Sequence, residues 1–394
     1  MSPYARPMHE SNQGSAAEGT PPLPPADDLT APFTAGPPPE EEPEPALDLM
    51  AGPAILRGLR IWFVLIGAMG LIGVLFDQAE LALSMTLAGA FVAAHAADRD
   101  PYYRPLHLLL TGVLVVGGTL AFAALAFWLA TQSAAGPLRP FAVGIAGGGA
   151  VLCLLTALHP LSDGLASAVF RTLRPTHVLR LGSRVVLMVL LFVVPGWAAF
   201  PDLLDVIATR RAPLLGTGQL LASLVGLTML ALGGVGFLVR RDVRETLERL
   251  GLQAPRLSHY GVMVLGIAAL YGLNLGIEAI QRQWFPDLWA HDQRISHLLA
   301  GGLGLGGGLL LGASAGVGEE LAMRGALQPR LGLIFTSFVF AMLHVHYSWL
   351  GIFTIFMLGM LLGVIRQRTS TTVAILVHAL YDILAVLTMG SGPR

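Results

Sequence analysis

The chain has 394 residues, 54% hydrophobic and only 12% charged, with a mean hydropathy of +0.67, which excludes a water-soluble globular enzyme. The formal net charge of −1 hides an asymmetry: nine acids and one arginine fall in the first fifty residues, so the remaining body is mildly basic. All 24 cationic side chains are arginines, scattered through gaps between apolar runs without forming a stripe, which argues against a nucleic-acid partner.

Residues 1–50 carry twelve prolines and almost no aliphatic periodicity, so they are expected to be a disordered acidic tail. No apolar segment lies near Met1, and the first span is expected to act as its own signal anchor. Apolar stretches long enough to cross a bilayer then recur with short polar gaps, predicting an all-α polytopic bundle of about eleven spans. Residues 51–255 form an N-terminal transmembrane region of unknown role. Among its spans, the second (Leu81 to Ala94) is short, and the fourth covers Phe141 to Leu158. Further on, the eighth covers Leu298 to Leu327, the ninth Leu331 to Trp349, the tenth Leu350 to Ile365 and the eleventh Thr371 to Met389. The short second and tenth spans are alternatively read as re-entrant or tilted. The single Cys153 sits in an apolar run and rules out an intramolecular disulfide or a cysteine-based zinc cluster.

Arginine placement predicts orientation, since cation-rich gaps stay cytoplasmic. Arg57 and Arg60, the group Arg171 to Arg184, the group Arg240 to Arg256, and Arg366 with Arg368 all fall on one side, predicting a cytoplasmic N-terminus in a bacterial plasma membrane. Arg210 and Arg211, beside Asp202 and Asp205, fit this less well. The gaps Leu161 to Leu179 and Arg240 to Leu252 alternate charged and aliphatic residues at helical spacing, as interfacial helices or ordinary loops would.

Charges inside spans are costly and point to function, and they cluster in the last eighty residues. The glycine-rich eighth span runs into Glu319-Glu320-Leu-Ala-Met-Arg324. In a continuous α-helix Glu320 and Arg324 share a face as an ion pair, leaving Glu319 rotated away and unpaired. The ninth span carries Phe340-x-x-x-His344 and the eleventh His378-x-x-x-Asp382, each pair expected on one helix face. Glu319 lies about 10 Å below the Leu327 end and His378 a similar depth below Thr371. One carboxylate, two imidazoles and a guarded water suffice for amide hydrolysis in a buried, cytoplasm-facing pocket.

These three motifs in this order resemble the CAAX-protease and bacteriocin-processing family of intramembrane proteases, also called the abortive-infection domain, which includes CAAX prenyl protease 2. The likeness covers residues 256–394. It implies an endopeptidase in which Glu319 activates water with His344, Glu320 and Arg324 brace the helix, and His378 with Asp382 stabilises the oxyanion or orients the water. The family usually has Asn at the Asp382 position, and a carboxylate cannot donate a hydrogen bond to an oxyanion. Asp382 then fixes the tautomer of His378 or completes a metal site. Glu319, His344 and His378 are the candidate ligands for a divalent ion such as zinc, although no His-Glu-x-x-His motif occurs. The implied partners are a peptide or membrane-protein substrate and the lipid bilayer.

Other readings compete. Gly312-Ala-Ser314-Ala-Gly316 matches Gly-x-Ser-x-Gly and suggests a rhomboid-like Ser314–His378 dyad, which leaves Glu319, Glu320, Arg324 and His344 without a role. A non-catalytic immunity or scaffold protein, or a transporter, is a further alternative. His346 is expected to be structural, Glu278 and Arg282 a solvated helix end, Phe340 packing, and Gly301 to Gly316 a close helix-packing seam. Asp292 is grouped with the acids of gaps and span ends, leaving Glu319, Glu320 and Asp382 as the acids that solvation does not explain.

Overall fold

The computed structural model describes residues 51–132, 138–208, 215–301 and 303–389. The acidic tail and Arg210 and Arg211 lie outside the described residues. The described chain is all α-helical, with no β-strand among the described residues. Its upstream helices are α1 (Ala51–Leu75), α2 (Ala79–Arg99), α3 (Arg104–Thr131), α4 (Arg139–Leu155), α5 (His159–Phe170), α6 (His177–Ala208), α7 (Thr217–Val235) and α8 (Val243–Leu250). Downstream come α9 (Leu257–Trp284), α10 (Pro286–Ala300), α11 (Leu305–Ala313), α12 (Gln328–Leu331), α13 (Leu333–Met342), α14 (Trp349–Arg368) and α15 (Thr371–Met389). Two π-helical segments, Ser314–Glu319 and Leu321–Leu327, join α11 to α12.

Among the described residues eight helices are long and apolar enough to cross a membrane, or up to ten if each of two bent pairs counts as one span, against the expected eleven. The chain is therefore an integral membrane protein. The differences have local causes. The expected fourth span breaks after Leu155, and α5, with a proline in its first turn, leaves at 110° to α4. The expected eighth span is broken near its start, where the chain turns through 101° between α10 and α11. The expected ninth span is a helix of only 10 residues, rising about 15 Å, because the polar run His344 to Ser348 ends it at Met342. The two spans expected to be short are full helices of 21 and 20 residues. Both charged gaps contain a short helix, α5 and α8, the latter started by a capping box between Asp242 and Glu245.

Several contacts tie the upstream helices to those that carry the polar cluster. Trp62 Nε1 donates to Phe237 O at 2.8 Å, and Arg99 Nη1 donates to Val239 O at 2.9 Å, fixing α1 and α2 to the end of α7. Helix α7 in turn packs along both π segments. From α8, Arg249 donates to Gly325 O and Ala326 O at 2.9 and 3.1 Å, satisfying carbonyls at the end of the second π segment. The loop after α8 then pins the start of α15, where Thr371 N donates to Gly251 O at 3.0 Å.

The expected glycine seam is present, and its partner is α15. A Cβ on Gly312 would lie 2.5 Å from Ala379 O, and one on Gly316 would lie 2.7 Å from Ala379 Cβ and 2.9 Å from Ile375 O. Only glycine lets the two backbones approach this closely. Gly316→Val is expected to lower the unfolding free energy in detergent micelles by about 1–3 kcal/mol, the usual cost of overpacking, whereas Gly304→Ala, which meets open space, should be close to neutral.

Candidate active site

Gly316 and Gly318 within the first π segment, together with its other small residues, permit the wider i→i+5 winding, which interrupts the regular ladder where the two glutamates occur. Glu320, the residue between the two π segments, is fully buried, as is Arg324. Arg324 Nη1 lies 3.1 Å from Glu320 Oε1, so the expected ion pair forms inside the bundle. Arg324 is held from two further directions: Nη2 donates to Gly359 O of α14 at 3.2 Å, and the guanidinium sits 4.6 Å from the centroid of the Phe340 ring. Phe340, expected only to pack, therefore supplies a cation–π face.

His378 on α15 approaches the same carboxylate, with Nδ1 2.8 Å from Glu320 Oε1. Its other nitrogen, Nε2, lies 3.5 Å from Asp382 Oδ2, one turn further along the helix. Glu320 is thus more than the expected brace, because one of its oxygens serves both Arg324 and His378. Its second oxygen, Oε2, is buried with no hydrogen-bond partner among the described residues. A ring flanked by carboxylates on both nitrogens is suited to donating from both.

His344 does not share a helix face with Phe340 as expected, since α13 ends two residues before it. The pair is nevertheless joined: His344 Nδ1 lies 3.0 Å from Phe340 O, and the rings meet edge to face at 5.0 Å. A carbonyl only accepts, so Nδ1 carries the proton and Nε2 keeps its lone pair. Glu319 is half-buried and makes no hydrogen bond or ion pair among the described residues, in keeping with the expected separation of the two glutamates. It lies within electrostatic range of His378, Glu320 and Arg324, and His344 within range of His378 and Asp382. The residues expected at the site are gathered in one region of the bundle.

Among the described residues no three His, Cys, Asp or Glu side chains converge closely enough to hold a metal ion. His378, one of the candidate ligands, has both ring nitrogens directed at carboxylates. The Gly-x-Ser-x-Gly run is part of the packing seam: Ser314 is buried and its hydroxyl donates to Leu220 O of α7 at 2.9 Å, so it does not pair with His378.

Two features were not visible in the sequence. Asp292, grouped there with solvated acids, is buried on α10 and accepts from Ser348 and Gln281. Glu278, expected at a solvated helix end, accepts from Trp289 Nε1 and Gln293 Nε2 at 3.2 and 3.1 Å and so holds α10 against α9. A serine directly before an apolar helical run marks Ser348 as an N-cap, but nothing local connects it to an aspartate 56 positions away.

Residues 302–384 match the family model described as type II CAAX prenyl endopeptidase, Rce1-like, a stretch that includes every residue of the Glu320–Arg324–His378 network, together with Glu319, His344 and Asp382. The C-terminal part of the chain is thus similar to the Rce1-like family. That similarity supports a CAAX-type intramembrane protease at the level of the family. The chain is also similar to an uncharacterised protein, YpbD, of Bacillus subtilis (strain 168), 27% identical over 146 residues, or 36% of this chain and 74% of that protein. No solved structure matches.

Removing one member of the buried pair leaves an uncompensated charge. Arg324→Met is expected to cost about 3–5 kcal/mol in unfolding free energy, and adding Glu320→Leu should recover much of it. Denaturant unfolding of the single and double variants in mixed micelles measures the difference.

Proposed function

We propose that this chain is an intramembrane endopeptidase that cleaves a peptide bond of a peptide or membrane-protein substrate by activating water with Glu319 and His344. The observation that carries the reading is the division of labour between the two neighbouring glutamates. Glu320 is held by Arg324 and His378, whereas Glu319 and the Nε2 of His344 retain unused capacity for a proton.

A water between these two groups gives its proton to Glu319 while His344 Nε2 accepts a hydrogen bond and orients it. The oxygen bonds to the substrate carbonyl carbon, and the C=O electron pair moves onto the carbonyl oxygen. His378 donates its Nε2–H to that oxyanion in exchange for the long 3.5 Å contact with Asp382, while Nδ1 stays on Glu320 and keeps the ring oriented. As the tetrahedral centre collapses, the C–N bond breaks and its electron pair leaves with nitrogen, which takes the proton from Glu319. Asp382 has no donor role in this scheme and acts by holding His378. The scheme routes no step through a metal.

The orientation follows from charge. Arg57 and Arg60 near the start of α1, Arg171 and Arg174 after α5, Arg240 and Arg244 around the start of α8, and Arg366 and Arg368 in the last turn of α14 lie toward the end of the bundle where α12 finishes and α15 begins. That end is cytoplasmic by the excess of arginine, and it is the face nearer to Arg324 and His378.

Comparing newly formed peptide N-termini in membranes carrying the wild-type chain, Glu319→Gln or His344→Ala tests the proposal. Products present with wild type should fall by at least about a hundredfold in both variants. An unchanged set of products in both would sink the protease reading. In the same assay Asp382→Asn, whose amide oxygen still accepts from His378, should stay within about tenfold of wild type, and Asp382→Leu should fall further.

A further inference from the structure

The polar segment Leu343–Ser348, which carries His344, is fixed at its start by α13: Leu343 N donates to Phe340 O and His344 N to Ala341 O at 3.2 and 3.0 Å. Its far end is fixed by α10. Asp292 Oδ1 accepts from Ser348 N at 2.7 Å, and Oδ2 accepts from Ser348 Oγ at 2.7 Å and from Gln281 Nε2 of α9 at 2.8 Å. Ser348 Oγ in turn accepts from Gly351 N at 3.1 Å and caps α14. Gly351 is required at this point, because a Cβ there would lie 2.8 Å from Asp292 Oδ2. The same helix adds two neighbouring contacts, His291 Nε2 to His346 O at 3.1 Å and the Ser296 hydroxyl to the Tyr347 hydroxyl at 3.4 Å.

We infer that Asp292 is a positioning residue for His344: by holding both polar groups of Ser348 it fixes the far end of the segment that aims the His344 ring. This rests on the reading of His344 as the group that orients the water. A bare backbone segment in the interior of a membrane protein must have its polar groups met by protein. Asp292 meets them with a buried carboxylate whose two oxygens are both used, and its partners, Gln281 of α9 and Ser348 at the end of the segment, lie on two different elements. Asp292 acts through Ser348 and the backbone, since its own contacts do not include His344.

The test uses the full chain in lipid nanodiscs with histidine labelled by ¹⁵N, the His344 signals being identified by their loss in His344→Ala. Wild type should show the single Nδ1–H tautomer that Phe340 O selects. Asp292→Ala should give a mixture of tautomers, raise amide exchange at residues 345–348 by at least about tenfold, and leave exchange in α11 and α15 unchanged. Asp292→Asn, which still offers an acceptor to Ser348 N and a donor to Ser348 Oγ, should restore the tautomer and slow exchange. In the cleavage assay Asp292→Ala should lower kcat by at least about tenfold with KM held, and Asp292→Asn should recover it. An unaltered tautomer with unaltered exchange in Asp292→Ala overturns the inference, as does a loosened segment with full kcat. Identical cleavage by wild type and Glu319→Gln would instead overturn the protease reading, and the tautomer and exchange measurements judge Asp292 independently of it.

Discussion

The interaction on which this structure turns is a guanidinium and a carboxylate stripped of water inside a helical bundle. Glu320 and Arg324 are both fully buried, and neither is tolerable there alone. Their mutual attraction does not by itself offset the desolvation of both, which is why each is met by further partners. Arg324 finds a backbone carbonyl on α14 and an aromatic face on α13, and Glu320 finds an imidazole on α15. The pair therefore dictates where four segments must lie relative to one another. Removing any one of these partners leaves a charge with an unmet need, so the arrangement resists alternatives more than it adds net stability.

Such short bridges require backbones to be close, and the glycines supply that closeness. Gly312 and Gly316 bring the segment bearing Glu320 against α15, and Gly359 leaves room for the Arg324 guanidinium beside Phe340. The π winding at the glutamates belongs to the same design: a widened turn loosens the regular ladder, and Arg249 from α8 closes part of the resulting deficit at Gly325 and Ala326. The upstream region has a physical part here too. Leu227 of α7 fills the space beside Gly318, and Leu220 O takes the Ser314 hydroxyl, so α7 forms the back wall of the segment that bears the glutamates.

Much of this was legible in the sequence because charge is scarce in an apolar chain. Glu319, Glu320, Arg324, His378 and Asp382 stood out against their surroundings, and the Glu320–Arg324 spacing correctly indicated an ion pair. The glycine run was read as a packing seam for the right reason. What failed were inferences needing direction or distance along the chain. A hydropathy window sums composition and is blind to a bend, so the breaks at α4–α5 and α10–α11 were missed. The same summation carried the expected ninth span through His344, although a run of polar residues there ends the helix early. Asp292 was misread because its partner Ser348 is remote in sequence, and an acid in an amphipathic stretch looks solvated until the fold brings a buried donor to it.

The distribution of unmet hydrogen-bonding capacity separates the polar residues into two kinds. Arg324, His378 and Asp292 are surrounded by partners, and their geometry is accordingly fixed. Glu319 and the Nε2 of His344 are not consumed by any such contact among the described residues, yet they sit within reach of the fixed set. A group that has spent its hydrogen bonds on the scaffold has little left for a reacting water, whereas a group left over in a low-dielectric interior gains most from binding one. In the proposed reaction the scaffold serves Glu319 and His344 by what it withholds from them, leaving both free for the water while the neighbouring buried pair holds the helices together.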